Sequence, residues 1–155
     1  MLTVRVAAPA DLPELDAAIP TGRNDVHAAF LRRQETGDAA YLAAWLDGVP
    51  VGTGVLRWAG RHGVPEISNL QVEPAARGHG AGTALIRLAE ELVRARGLDR
   101  VSIGVGLDND RAATLYRRLG YTDTGERQTD TYTYFDRDGV EHEATEVSRI
   151  LTRHL

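Results

Sequence analysis

The stretch Val72-Glu73-Pro74-Ala75-Ala76-Arg77-Gly78-His79-Gly80-Ala81-Gly82-Thr83 carries the residue types of an anion site. Glycines alternate at 78, 80 and 82, an arginine precedes them, and an apolar-periodic run begins at Ala81. Glycine removes side chains where successive backbone N–H groups must converge. A helix starting there adds its unpaired N-terminal donors and the positive end of its dipole. Such a loop suits a phosphate or pyrophosphate, with Arg77 as an added cation. Pro74 cannot donate to a sheet ladder, so it closes the preceding strand and holds Glu73 extended. A Walker loop is excluded, since it needs lysine and all 18 basic residues of this chain are arginine. The dinucleotide fingerprint fails too: Thr83 stands in place of its third glycine, and Pro-Ala-Ala-Arg separates strand from loop.

The elements that must position this loop follow from the pattern of the chain. Residues 2–7 alternate as a first strand, ended by Pro9. Residues 11–16 open a helix with Leu12, Leu15 and Ile19 on one face. After the break at 20–23, Asn24 can cap a second helix carrying Val26, Ala29, Phe30 and Arg33. A strand over 40–46, the hairpin signal Asp47-Gly48 and a return over 49–58 lead through a turn at 60–63 to a third strand, 64–72. This antiparallel meander is a second, independent argument against a doubly wound parallel sheet. A helix over 81–96 has Ala81, Ala84, Leu85, Leu88 and Leu92 at helical spacing, with Gly97 as its C′ residue. A strand over 100–105 follows, then Asn109 caps a helix running through Ala112, Ala113, Leu115, Tyr116 and Leu119 to Gly120. The last third alternates aromatic and polar residues, turns at 136–139 and returns as a strand over 146–155.

A chain of 155 residues with 43% hydrophobic and 26% charged content supports one domain spanning 1–155 around one core. No apolar run is long enough to span a membrane, and residues 1–6 lack the pattern of a secretion signal, so a cytoplasmic location is the default expectation. The net charge of −4 argues against a general affinity for nucleic acid. With no cysteine, the chain has no disulfide, no thiolate metal site and no cysteine nucleophile. Its five histidines show no metal-ligand spacing, so no metal site is expected.

Arg77-x-x-Gly80-x-Gly82, preceded by Val72-x-Pro74, resembles the acetyl-CoA signature of the GNAT superfamily, the GCN5-related N-acetyltransferases. Asn109-x-x-Ala112-x-x-Leu115-Tyr116-x-x-Leu119-Gly120-Tyr121 resembles the second motif of that family. The two occur in order with a helix and a strand between them, and the resemblance covers residues 1–125 by element order. It implies an α+β fold: a mostly antiparallel, splayed mixed sheet with helices on both faces. It implies acetyl-CoA as cosubstrate, with Leu70, Val72, Arg77, Gly78, His79, Gly80, Ala81, Gly82, Thr83, Asn109, Ala112 and Tyr116 as its binding residues. The strand holding Leu70 and Val72 would splay from the strand at 101–105 and pair with the pantetheine amides as an added strand does. A bulge near Gln71 or Val72 would aim a backbone N–H at the thioester oxygen. Homodimerisation is a tendency of the family.

The implied activity is direct acetyl transfer to a primary amine of a small molecule or peptide within a ternary complex. Tyr116 is the expected general acid toward the CoA sulfur, since a phenol with a pKa near ~10 is protonated at neutral pH. By spacing alone it is equally a core tyrosine of an amphipathic helix. Glu66 is the expected base: counted by twos, with no bulge intervening, it shares the face of Val72. The alternatives are Glu73, closer to the loop on the other face, and a Glu66 that is only a solvated strand residue. Asn69 would orient substrate or water, and Arg111 would touch the adenosine phosphate. Between 122 and 146 lie eight acidic residues and two arginines, which would either steer a cationic amine or form an exposed hairpin. Trp45, Trp58, Tyr132, Tyr134 and Phe135 either wall the acceptor pocket or pack the core. A non-catalytic acyl-CoA-binding sensor is the alternative of a different class.

Overall fold

The computed structural model describes residues 1–21, 25–136 and 138–155, so the cap expected at Asn24 lies outside the described residues. The chain divides into two compact units, Met1–Val101 with His154–Leu155, and Ser102–Arg153.

In the first unit, β1 (Leu2–Val6), β2 (Ala39–Leu46), β3 (Val49–Arg57) and β4 (Glu66–Val72) form an antiparallel meander in that order. The β2–β3 hairpin turns at Asp47 (φ 51°) and Gly48 (φ 83°), a pair of left-handed residues whose twist matches that of the strands. β2 is apolar along its whole length because both of its faces are covered. Tyr41, Ala43 and Trp45 join Leu15, Ile19 and Leu31 in one core, under α1 (Leu12–Ala18) and α2 (Val26–Glu35). The alternate residues Ala40, Leu42 and Ala44 are buried as well, on the face taken by α3 (Ala81–Ala95), which packs against β1 to β4.

Three details differ from the sequence expectation. The buried residues of α2 are His27 and Leu31, whereas Val26, Ala29 and Phe30 are only half-buried. The buried face of α3 is Ala81, Leu85, Ile86, Ala89, Glu90 and Val93; of the expected stripe Ala81 and Leu85 are buried, whereas Ala84, Leu88 and Leu92 are only half-buried. In both helices a polar residue sits inside the buried face and hides it from apolar counting. Glu90 is fully buried and accepts from Arg87 Nη1 at 2.7 Å. The third difference is the bulge. Thr53 pairs with Gln71 but Val55 pairs with Ser68, so β4 carries one extra residue at Asn69–Leu70, immediately before the expected place near Gln71 or Val72.

In the second unit, β7 (Glu141–His154) lies between β5 (Arg100–Gly106) and β6 (Thr122–Phe135), and α4 (Asp110–Arg118) connects β5 to β6. Asn109 caps α4 as expected, its side chain accepting the Ala112 N–H at 3.1 Å. β7 begins at Glu141 rather than 146, because the polar residues 141–145 pair with β6 through backbone bonds that carry no hydropathy signal. Tyr132 and Tyr134 are exposed on this hairpin, while Trp45 belongs to the core of the first unit.

The junction of β1 with α1 is fixed by Arg5 and Asp11. Two guanidinium nitrogens donate to the two carboxylate oxygens at 2.7 and 2.8 Å, and the Ala8 N–H donates to the same carboxylate at 2.7 Å. These bonds hold the Asp11 carboxyl down at about 2, from an ordinary 3.8. Ionised Asp11 therefore stabilises the fold above pH 3.8, and its contribution disappears as pH falls through about 2. Arg5 is half exposed and screened by solvent, so Asp11→Asn should cost about 1–2 kcal/mol at neutral pH. In thermal melts, the gap between wild type and Asp11→Asn should be full at pH 5 and narrow progressively below pH 3.8.

Candidate active site

The residues from Glu66 to Thr83 fold as strand, turn and helix within the first unit. After β4, Glu73 is extended and donates its N–H to the Val51 carbonyl at 2.8 Å. Pro74–Ala76 make a 3-10 turn, and Arg77 lies exposed beyond it. Gly78 and Gly80 then take positive φ values of 87° and 82°. Gly80 is the N-cap of α3, and no side chain caps that helix. Its first-turn N–H groups therefore remain available as donors, with the helix dipole behind them.

The glycines of this loop serve different ends. At Gly78 and Gly80 a Cβ would meet nothing within 4 Å, so their requirement is purely the left-handed backbone. Gly82 has an ordinary helical backbone, and its Cβ would come no nearer than 4.0 Å to Val72 Cγ2. Neither conformation nor packing demands glycine there. It leaves the protein surface bare at the start of a helix, as a ligand approaching the backbone requires. His79 is exposed beside this surface.

The bulge decides what β4 presents. Asn69 adopts φ 50°, and the extra residue reverses the side-chain parity. Glu66, Ser68 and Gln71 lie opposite Arg57, Val55 and Thr53, all on the face of α1 and α2. Val72 lies opposite Gly52 on the α3 face, next to Gly82. Glu66 and Val72 therefore do not share a face as expected. Glu66 is buried at the far end of β4, paired with Arg57.

On the α1–α2 face, the bulge borders a cavity of about 350 Å³. Val26 and Phe30 of α2, Tyr41 and Thr53 of the sheet, and Asn69, Leu70 and Gln71 line most of it. Neither Glu66, Glu73, Trp45 nor Trp58 is among the described lining residues, and none of those is charged. Tyr41 and Thr53 were not singled out by sequence. Their one signal is position: both point inward from strands that are apolar on either side.

In the second unit, Tyr116 is 8% exposed on the inner face of α4. Burial pushes its phenol above the ordinary value of 10.0, so it keeps its proton across the neutral range. The side-chain oxygen of Asn109 is committed to capping, and Ala112 is half-buried one turn before Tyr116.

A family model described as the Acetyltransferase (GNAT) family matches residues 10–121. The chain is 40% identical over 89 residues to a protein named mycothiol acetyltransferase from Beutenbergia cavernae. That match takes in 57% of this chain and 26% of the relative, so the chain spans about a quarter of that relative's length. A GNAT-family acetyltransferase of Streptococcus pneumoniae superposes with a TM-score of 0.71 at 20% identity, covering 100% of both chains. The PaiA N-acetyltransferase of Thermoplasma acidophilum, solved in complex with coenzyme A, gives 0.69 at 15% identity, covering 100% of this chain and 99% of that one. At these identities the likeness to solved structures concerns the fold. The class is thereby defined as an α+β fold of the GNAT type. The chain belongs to the acetyltransferase (GNAT) family.

The two kinds of glycine in the loop separate in a stability measurement. Gly80→Ala forces a Cβ into the left-handed region and should cost about 1–2 kcal/mol. Gly82→Ala removes a flexible residue from a helix at no steric cost and should be neutral or stabilising by up to about 1 kcal/mol. Equal losses in urea unfolding would show that packing, and not backbone conformation, requires both glycines.

Proposed function

We propose that this protein transfers an acetyl group from acetyl-CoA to a primary amine by direct attack within a ternary complex. The observation that carries the reading is Gly82: an uncapped helix start, stripped of side chains where the fold itself does not require it, behind Arg77. Arg77 and the N–H groups from Gly78 to Thr83, with His79 and Ala81 among them, fit the pyrophosphate of CoA. The main-chain groups of Leu70 and Val72 are assigned to the pantetheine amides. The second-motif residues Asn109 and Ala112 complete the binding set, Ala112 through its small side chain and Asn109 through the amide nitrogen that capping leaves unused.

Acetyl-CoA supplies an activated thioester. The chain's own work is to place an amine, stabilise an oxyanion and protonate a thiolate. The bulge at Asn69–Leu70 interrupts the ladder to β3, and an N–H released there is our candidate oxyanion donor. Tyr116 is assigned as the acid that gives the departing sulfur its proton. Glu66 keeps its assignment as a base acting through water, on the proton that the nitrogen loses as the amide forms, since Glu66 is buried and is not among the residues that line the cavity. With no cysteine in the chain, a cysteinyl acyl-enzyme has no place in this scheme.

A thermal-shift titration with acetyl-CoA, CoA and NADH in parallel tests the cosubstrate, followed by thiol release against a panel of amines. Both CoA species should raise Tm and NADH should not. Gly82→Ala should weaken the CoA shift by about tenfold in apparent affinity without lowering the unliganded Tm. Tyr116→Phe should lower kcat by about 10²-fold or more with CoA affinity retained, and Glu66→Gln should lower it less. CoA binding without turnover in every protein, wild type included, would favour a sensor and sink the enzymatic reading.

A further inference from the structure

A buried polar chain runs from the floor of the cavity into the core of the first unit. His27 is 0% exposed, with Nε2 at 2.8 Å from the Ile19 carbonyl oxygen and Nδ1 at 2.6 Å from the Tyr41 hydroxyl. A carbonyl only accepts, so Nε2 carries the hydrogen and donates to it. In the neutral ring Nδ1 is then a bare acceptor, and the Tyr41 hydroxyl must donate to it. Thr53 lies on the neighbouring strand β3 and acts on the Tyr41 phenol in the direction that lowers its pKa, against the burial that raises it. Tyr41 and Thr53 both line the cavity, and His27 does not.

We infer that Tyr41 and His27 form a proton relay that takes the proton from an ammonium bound in this cavity, leaving the neutral amine needed for attack. The inference rests on the reading of this protein as an amine acetyltransferase. The step balances: an N–H bond of the ammonium breaks and its proton passes to the Tyr41 oxygen. The tyrosine's own proton passes to His27 Nδ1. The amine becomes neutral, Tyr41 stays a neutral phenol, and His27 becomes imidazolium, donating to the Ile19 carbonyl and to the Tyr41 oxygen. After product leaves, the same bonds return the proton to water in the cavity. Tyr41 is the group that meets substrate; His27 acts through it.

The surroundings favour this use. The described residues lining the cavity offer no carboxylate, so an ammonium entering it would lose its hydration without gaining a counter-charge. Phe30 of α2 stacks on Tyr41 with ring centroids 5.2 Å apart, and the Arg33 guanidinium lies over the Phe30 ring at 5.7 Å. Asp16 of α1 is the charged group that acts electrostatically on Tyr41, and its sign favours a cation at the relay. A purely structural pair would satisfy a buried histidine equally well. The relay differs in that Tyr41, its donor end, is among the residues that line the cavity.

The distinguishing readout is the pH profile. An amine of pKa near ~10 is almost wholly protonated at pH 7. A transition state that keeps the ammonium's proton on His27 contains the same protons as the free reactants, so kcat/KM is flat with pH. One that has lost the proton to water gains about tenfold per pH unit until the amine titrates. Wild type, Tyr41→Phe and His27→Gln are assayed by thiol release from acetyl-CoA with hexylamine and phenethylamine between pH 6.5 and 9. The wild-type profile should be shallow. Both variants should lose about a hundredfold at pH 7 and recover to within a few fold at pH 9, with KM for acetyl-CoA unchanged. Losses that are the same at every pH, or no loss, would overturn the relay. Tyr41→Phe keeps the ring and its stacking, so it decides alone should His27→Gln fail to fold. Histidine long-range nitrogen NMR of the unliganded wild type gives a readout independent of turnover: Nε2 should be protonated and Nδ1 bare at pH 7, and the opposite tautomer would overturn the proposal. Wild type that turns over no amine fails the acetyl-transfer reading itself, and the relay with it.

Discussion

The extra residue at Asn69–Leu70 governs how the first unit works. An uninterrupted β4 would alternate strictly from Glu66 to Val72, so whatever face it gave to one it would give to the other. The bulge changes that count by one. Gln71 now joins Thr53 and Tyr41 at the cavity, and Val72, the next residue, turns to α3 and touches the start of the glycine loop. One strand thus serves two surfaces within a single peptide step. Asn69 pays for this with a left-handed backbone, a conformation that asparagine tolerates better than most residues because its short side chain bonds locally. The neighbouring covered faces keep the slip in place: Ile67 before it and Val72 after it are both on the α3 side, so a register shift would bring polar residues into contact with the core.

Local chemistry made much of this legible in the sequence. Pro74, the alternating glycines and the helix-forming run after Ala81 each act on their immediate neighbours, and the loop they form is the one expected. Asp47-Gly48 fixed the hairpin for the same reason: the left-handed pair is decided by the two residues themselves. The cap at Asn109 is equally local. What could not be read depends on partners distant in sequence. A bulge is a relation between two strands, and nothing in Asn69-Leu70-Gln71 says which of them lacks an opposite number. The counting that placed Glu66 with Val72 failed at that one step.

The helix faces were misread for a related cause. Apolar counting assumes that the buried stripe is apolar, and here each longer helix of the first unit buries a polar residue with its partner arranged elsewhere. Glu90 is sealed into the stripe of α3 because Arg87, one turn earlier, meets it. His27 is sealed into that of α2 because Ile19 and Tyr41 satisfy both of its nitrogens. Leu31, four residues after His27, marked the right face, but only when histidine is admitted as a core residue. The resemblance to the GNAT family supplied the expected role of Tyr116; it carried no information about His27, which lies outside both motifs.

Two opposite electrostatic environments therefore lie on the two faces at one end of a single strand. Beyond Val72, open backbone donors, a helix dipole and Arg77 favour negative charge. Beside Gln71, hydroxyls, amides and apolar side chains form a cavity whose described lining carries no charge at all. A phosphorylated donor is drawn to the first by its charge, whereas an amine gains by entering the second only in so far as it sheds its proton. A carboxylate in that cavity would bind the ammonium well and for that reason hold it in its unreactive form. A neutral histidine one hydroxyl removed offers the proton a place to go without offering the cation a place to rest. On the proposed reading of the cavity as the amine's site, that difference is a physical reason for this chain to hold a fully buried histidine beneath it.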